Sequence, residues 1–294
     1  MPHAPHVAVT ARPWPGSVAL YAAAQDSDYA LSKIIPLPSV IGVTQTPLLR
    51  AGAGVIDRGP ALRVRLVRGA LQSVSEVGLL SGANLAAIGD GTTDAWEVFQ
   101  FAQAELVGPR TYDLRLRLRG QAGSDGIMPE DWPVGSRFVL LNGVPSQIDL
   151  ADSARDLPRY FRFGPALRPI DDATWRARVA TFRGNGLRPY AVCHLRATGD
   201  GAGGHMFGWI RRTRIDGDPW TATEVPLGET SEAYLLRLRH GGAILREVTL
   251  TQPHWTYSAA EHAADGVTGP FLVEVAQLSE RFGPGPFRAI GIDS

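Results

Sequence analysis

The stretch DAWEVFQFAQAELVGPRTYDLRLRLRG, residues 94–120, leaves few folds open to a chain that contains it. In its second half Tyr112, Leu114, Leu116 and Leu118 alternate with Asp113, Arg115, Arg117 and Arg119. A side-chain period of two puts one set on each face of a strand. Leu114, Leu116 and Leu118 are therefore expected to be buried, with Arg115, Arg117 and Arg119 facing solvent, acids or a neighbouring subunit. The first half carries Trp96, Val98, Ala102, Ala104 and Leu106 on one parity and Phe99, Phe101 and Val107 on the other. That pattern requires burial on both faces or a bulge. Gly108, Pro109 and Arg110 supply the reversal between the halves. The whole reads as a β-hairpin around which a first domain is assembled, its double burial supplied by a covering layer within the domain or by another subunit.

The rest of the chain repeats the theme in shorter pieces. Residues 17–24 read as a strand or the start of a short helix, ended by Asp26, Ser27 and Asp28. Residues 29–35 and 40–44, bounded by Pro36, Pro38 and Pro47, suit strands rather than helices. Residues 61–67 (ALRVRLV) alternate as a half-buried strand. In residues 76–88 the glycines Gly78 and Gly82 argue against a helix, giving a strand, a turn at residues 81–84 and a second strand. Residues 121–133 form a loop, residues 137–141 a strand ended by Asn142 and Gly143, and residues 159–163 another strand. Residues 173–182 have no clear type.

A domain boundary is placed at residues 182–186, where two glycines flank an asparagine. This divides the chain into residues 1–183 and 184–294. Strand-like runs follow at residues 190–197, 206–215, 232–239, 243–250, 255–260, 271–279 and 287–292. About seven short strands over roughly a hundred residues is the sequence pattern of an immunoglobulin-like sandwich. The fold class is all-β: a barrel or sandwich, then a second sandwich able to fold alone.

Composition narrows function mainly by exclusion. The 294 residues carry 29 basic and 29 acidic side chains, a formal net charge of zero. That removes the electrostatic argument for nucleic acid or an anionic membrane. Lys33 is the sole lysine, so the positive charge is arginine, suited to bidentate pairing with carboxylates. Cys193, the one cysteine, reads as a small buried hydrophobe. The first residues lack signal- and transit-peptide patterns and no segment is long enough to span a bilayer, which gives the expectation of a soluble protein made in a cytoplasm.

Each candidate for chemistry has a plainer use. Glu130 and Asp131 beside Trp132 resemble a paired-carboxylate glycosidase site with a sugar platform, but a proline-flanked acidic loop is more often solvated. Glu261, His262 and Asp265 offer metal-ligand atoms without a second histidine or cysteine at ligand spacing; a surface helix turn fits them better. Residues 81–84 and 199–204 contain glycines but lack a phosphate-loop lysine and read as turns. Arg211, Arg212 and Arg214 point to a glycan, nucleic acid or, with Asp216 and Asp218 beside them, an internal ion-pair network. Trp220 and Trp255 fit sugar binding, a partner or core packing. No catalytic, cofactor or metal site is expected.

Residues 184–294 resemble a fibronectin type III domain. Trp209 stands where that family's second strand places its core tryptophan, residues 234–238 (YLLRL) look like its third strand, and residues 271–277 with Gly283, Pro284 and Gly285 like its sixth strand and exit loop. Phe271 sits near the family's corner tyrosine, so that hydroxyl bond is absent or supplied differently. On a larger scale, WPGSVALY (residues 14–21), VIGVTQTPL (40–48), WEVFQFAQAELV (96–107) with LRLRLRGQAG, and GLRPYAVCHLRA (186–197) resemble the C-terminal part of the large tail-tip protein of alphaproteobacterial gene transfer agents and related phages. That family is similar in role to the host-specificity proteins of long-tailed phages, and its members are much longer, with an upstream barrel-like region that these residues do not include.

It implies a structural tail-tip or baseplate role. Self-association as a homotrimer about the tail axis, contacts with other tail-tip and distal tail proteins, and a host glycan or receptor would be its partners. The assembled location would be the tail of an extracellular particle, with the first domain making the assembly contacts. The alternative is a carbohydrate- or receptor-binding module on the particle's distal face. A cell-wall hydrolase is disfavoured by the lack of an acid/base pair.

Overall fold

Residues 62–66 show in miniature how the first unit is built. Leu62, Val64 and Leu66 are buried while Arg63 and Arg65 are exposed, as alternation requires. The computed structural model describes residues 3–217 and 225–293, so Asp218 and Trp220 lie outside the described residues. It divides into two units, Met1–Gly186 and Leu187–Ser294.

In the first unit the main elements are β1 (Val18–Ala23), β2 (Ala30–Ile35), β3 (Ile41–Thr44), β4 (Leu62–Leu66), α1 (Glu76–Leu80), β5 (Leu85–Gly89), β6 (Trp96–Gly108), β7 (Thr111–Gln121), β8 (Arg137–Leu140), β9 (Pro158–Pro165) and β10 (Arg176–Thr181). Six of these strands close an antiparallel barrel in the order β7, β4, β3, β8, β5, β6, with β6 returning to β7. Closure leaves no open sheet edge in the ring. Its interior holds Leu62, Val64, Leu66, Ile88, Leu114 and three phenylalanines, Phe99, Phe101 and Phe138. The phenylalanine centroids lie 6.3–6.4 Å apart, a spacing at which aromatic rings attract.

The barrel is inserted into another sheet. Strands β1 and β2 precede it, β9 and β10 follow it, and the four pair in the order β10, β9, β1, β2. The register Arg162↔Tyr21 and Phe163↔Leu20 joins residues about 140 positions apart. One face packs Leu20, Ala22, Phe161 and Phe163 against Ile148, Ala180 and Phe182. The other face carries Tyr21 and Arg162.

The long hairpin is present as β6 and β7, but its alternation does not persist. Leu114 is fully buried, whereas Leu116 and Leu118 are only half-buried, and Arg117 and Arg119 lie at 1% and 0% exposure. Leu116 has φ 52°, a left-handed backbone that reverses which face the following residues meet. Only Arg115 is exposed as expected. Leu114→Ala is expected to cost about 2–5 kcal/mol in urea melts and Leu116→Ala less than half of that. Leu116→Gly should cost no more than Leu116→Ala, reversing the usual strand preference, because glycine adopts this φ without strain. A Leu116→Gly protein clearly less stable than Leu116→Ala would refute the reversal.

Double burial of the first arm is met within the unit. Val74 N–H donates to Ala102 O at 2.7 Å and Ala104 N–H to Ser73 Oγ at 3.0 Å. Gln100 Nε2 donates to Leu79 O and Ala83 O at 2.7 and 2.8 Å. The segment around α1 is thus the covering layer, although Leu106 and Val107 at the hairpin tip remain exposed. α1 itself corrects the expected strand over residues 76–80. Ser75 Oγ accepts from Gly78 N–H at 3.1 Å with Glu76 in the first turn, so the cap makes up for the glycine. The turn and the following strand, β5, stand where expected.

The second unit comprises β11 (Cys193–Gly199), β12 (His205–Ile210), β13 (Tyr234–His240), β14 (Ala243–Leu250), β15 (His254–Tyr257), α2 (Ala259–Ala264), β16 (Phe271–Ser279) and β17 (Arg288–Ile292). A three-stranded sheet, β11, β12, β15, faces a sheet in the order β14, β13, β16, β17. Their shared core includes Trp209, Tyr234, Leu236, Leu238, Tyr257, Phe271, Val273 and Val275. Trp209 meets Tyr234 edge-on at 5.2 Å. Among the described residues, the main strands in this three-on-four order form a fibronectin type III-like sandwich. The chain is all-β with short helices.

Candidate functional site

At one end of the barrel the reversed arm delivers two guanidiniums into the interior. Arg119 binds Glu97 through two bonds, Nε to Oε1 at 2.7 Å and Nη2 to Oε2 at 2.8 Å, with both side chains fully buried. Glu97 also accepts from Trp132 Nε1 at 2.7 Å and from Gly120 N–H at 3.2 Å. Arg117 Nε donates to Asp57 Oδ2 at 2.9 Å, and Arg119 Nη1 reaches the same oxygen at 3.2 Å. Carbonyls of Leu49, Pro60 and Leu114 accept the outward N–H groups. Two cations and two anions cancel, with most donors satisfied, as a buried ionic group requires. Burial pushes the Asp57 carboxyl upward, but the Gly59 N–H bond and the Arg117 charge outweigh it and hold the carboxyl below its usual value. Burial pushes Arg117 down. The cluster plugs and fixes the barrel end.

The sequence candidates are dispersed. Trp132 is a core residue, 3% exposed, and cannot serve as a surface sugar platform; Glu130 is exposed and pairs with Arg50 at 3.2 Å. Glu261 caps α2, accepting from Ser258 N–H and Oγ at 2.9 Å, and these bonds lower its carboxyl. Asp265 takes the Arg246 guanidinium and accepts from Tyr257 Oη at 2.9 Å. Arg246 lowers Asp265, while burial and then the Asp265 bond raise the Tyr257 hydroxyl. This hydroxyl bond ties the end of β15 to the connection before β16, so the corner that Phe271 cannot make is supplied by Tyr257. Phe271 packs in the core against the Tyr257 ring at 5.8 Å.

Arg214 pairs with Glu229 at 3.1 Å rather than with Asp216, Arg211 donates to Pro226 O at 2.9 Å, and Arg212 stacks 5.2 Å over Tyr190. Residues 199–204 are a turn in which Asp200 Oδ1 accepts from Ala202 and Gly204 N–H at 2.8 Å. Trp255 stacks on Phe207 and Tyr257 at 5.7 and 5.3 Å. Cys193 is half-exposed, not buried, because it lies in an outer strand of the smaller sheet.

The open face of the four-stranded sheet holds the feature that residue-by-residue reading missed. A cleft of about 470 Å³ is lined by Tyr21, Tyr29, Trp175, Arg162, Arg168 and Asp26, among others. Tyr29 Oη donates to Asp26 Oδ1 at 2.5 Å and Arg162 Nη2 to the same oxygen at 3.4 Å. Arg162 also lies 4.8 Å over the Tyr29 ring, within cation–π range. The Tyr29 bond and Arg162 hold the Asp26 carboxyl below its ordinary value, and the Asp26 bond raises the Tyr29 hydroxyl. Trp175 meets Tyr21 edge-on at 5.6 Å. A Cβ on Gly164 would fall 2.5 Å from the Trp175 ring, so glycine is what lets the indole lie against β9. The Trp175 indole N–H is buried with no hydrogen-bond partner. Arg168 pairs with Asp172 at 3.3 Å.

The barrel, β3 to β8, occupies residues 41–140. Residues 39–139 match the family model "Rcc01698-like, C-terminal". The match therefore covers the barrel almost strand for strand, and the family name is associated with gene transfer agents. No curated protein sequence matches the chain. Similar solved structures include domains d3–d4 of the rat CD45 extracellular region, at TM-score 0.28 and 10% identity over 53% of this chain and 72% of that one. The FN1–FN3 domains of chicken CNTN1 give TM-score 0.27 and 14% identity over 86% and 65%. A two-domain fibronectin type III segment of chicken tenascin gives 0.26 and 8% over 85% and 100%. Such scores carry no weight of their own; the sandwich is assigned by its strand order.

Proposed function

We propose that this chain is a structural component of a phage-like tail tip or baseplate of the gene-transfer-agent type. The observation that carries the reading is the coincidence of the Rcc01698-like match with the barrel, residues 39–139 against 41–140. A closed barrel fixed at one end by a neutral buried ion cluster suits a part whose work is to hold shape. The sandwich closes its own core between two sheets and serves as an outward spacer or adhesive arm. Assembly contacts fall to the first unit, where the covering layer leaves Leu106 and Val107 exposed at the hairpin tip, with three copies around the tail axis.

The test is a mass measurement on the purified chain and on particles from cells that produce it. The expected result is a monomer when isolated and three copies per particle. A chain absent from purified particles would overturn the reading, and a stable soluble trimer would overturn assembly only within the particle.

A further inference from the structure

We propose that the cleft formed by Tyr21, Tyr29, Trp175, Asp26, Arg162 and Arg168 binds a neutral saccharide. It lies within the range of small-molecule sites, about 300–1,000 Å³. Its chemistry decides the ligand class. The partly exposed rings of Tyr21 and Tyr29 offer apolar surface to the C–H face of a sugar ring, with the buried Trp175 packed edge-on against Tyr21, and Asp26 and Arg162, side by side, offer an acceptor and donors to neighbouring hydroxyls.

Charge argues against an anion. Each arginine is already paired, Arg162 with Asp26 and Arg168 with Asp172, so the cleft carries no uncompensated positive field for a phosphate or uronate. The site is also held in place before any ligand arrives. Tyr21 and Arg162 are direct register partners on adjacent strands, Arg162 is stacked on Tyr29, and Trp175 lies against Gly164. Preorganised rings lose little freedom on binding. This inference stands apart from the tail-tip reading, because the cleft belongs to the four-stranded sheet and not to the barrel.

The experiment is saturation-transfer NMR on the full chain with cellobiose, maltose, lactose and rhamnose, and with polygalacturonate and inorganic phosphate as the anionic arms. A saturable signal is expected from at least one neutral sugar. Tyr29→Ala should weaken it about tenfold, the loss of one stacked ring, and Asp26→Asn by a comparable factor while keeping the shape of the side chain. Thermal melts of both variants check folding, and Asp26→Asn carries the test if Tyr29→Ala unfolds. Absence of a saturable signal across the neutral sugars, binding indifferent to both substitutions, or preference for polygalacturonate or phosphate would each overturn the proposal. None of these results bears on whether the chain is found in particles.

Discussion

Arg119→Ala is expected to destabilise the first unit by about 3–5 kcal/mol in urea or guanidinium unfolding, the usual cost of removing one partner from a buried ion pair. The effect comes mostly from what is left behind. Glu97 has no exposure to solvent, and without the guanidinium its charge faces only the Trp132 and Gly120 N–H groups. Arg115→Ala, four residues earlier on an exposed side chain, should stay within about 0.5 kcal/mol of the parent. Arg119→Met combined with Glu97→Leu should recover part of the loss, since the uncompensated charge disappears with its partner. The same cluster predicts an acid limit. Asp57 is held below its ordinary value in the fold, so its contribution is present above the unfolded carboxylate range, about pH 4, and is lost as pH falls through the lower folded value. Asp57→Asn should flatten that part of the stability profile. Equal stabilities for Arg119→Ala and Arg115→Ala would mean that water replaces the guanidinium and that the plug is not structural.

The cluster also shows where the sequence could be read and where it could not. Leu62, Val64 and Leu66 alternate with arginines and are placed as alternation dictates. Residues 112–119 carry the same pattern with the opposite result for Arg117 and Arg119, because one left-handed residue, Leu116, exchanges the faces halfway along. Nothing in a leucine announces a positive φ. A signal is nevertheless present in Glu97, an acid between Trp96 and Val98 in an arm whose apolar residues fall on both parities. A carboxylate in such a strand needs a buried cation, and the arginines of the facing arm were the nearest supply. α1 forms in spite of Gly78 because Ser75, just outside the run that the glycines interrupt, caps its first turn. The cleft was beyond reach for a different reason. Tyr21 and Arg162 meet only because the barrel is inserted between two hairpins of one sheet, and no local pattern specifies that pairing. The sandwich was the most legible part, its strands being short, regularly spaced and alternating, with Trp209 in the core.

A fragment spanning Leu187–Ser294 is expected to fold by itself with one cooperative transition, and Trp209→Ala within it to cost about 3–5 kcal/mol. The argument rests on which residues make each core. Every buried member of the sandwich core, from Val192 to Ile292, lies in the fragment, and every member of the barrel core, from Leu48 to Phe138, lies outside it. A core assembled wholly from one stretch of chain does not need the other stretch for its burial. Trp209 is the sharpest probe because it is 5% exposed, sits on the smaller sheet and meets Tyr234 of the larger one. Truncating it removes the aromatic contact that holds the two sheets at their spacing and leaves a cavity that neither sheet can close alone. The corner is a second, smaller test in the same fragment, since Tyr257→Phe removes only the hydroxyl bond to Asp265, a loss of about 1–3 kcal/mol for a hydrogen bond to a charged group. Denaturant melts followed by tryptophan fluorescence and far-ultraviolet circular dichroism provide the measurement. Coincident transitions with that order of effects, Trp209→Ala above Tyr257→Phe, are expected, whereas a broad transition with dye-binding hydrophobic surface in the unmutated fragment would show that the sandwich depends on residues before Leu187.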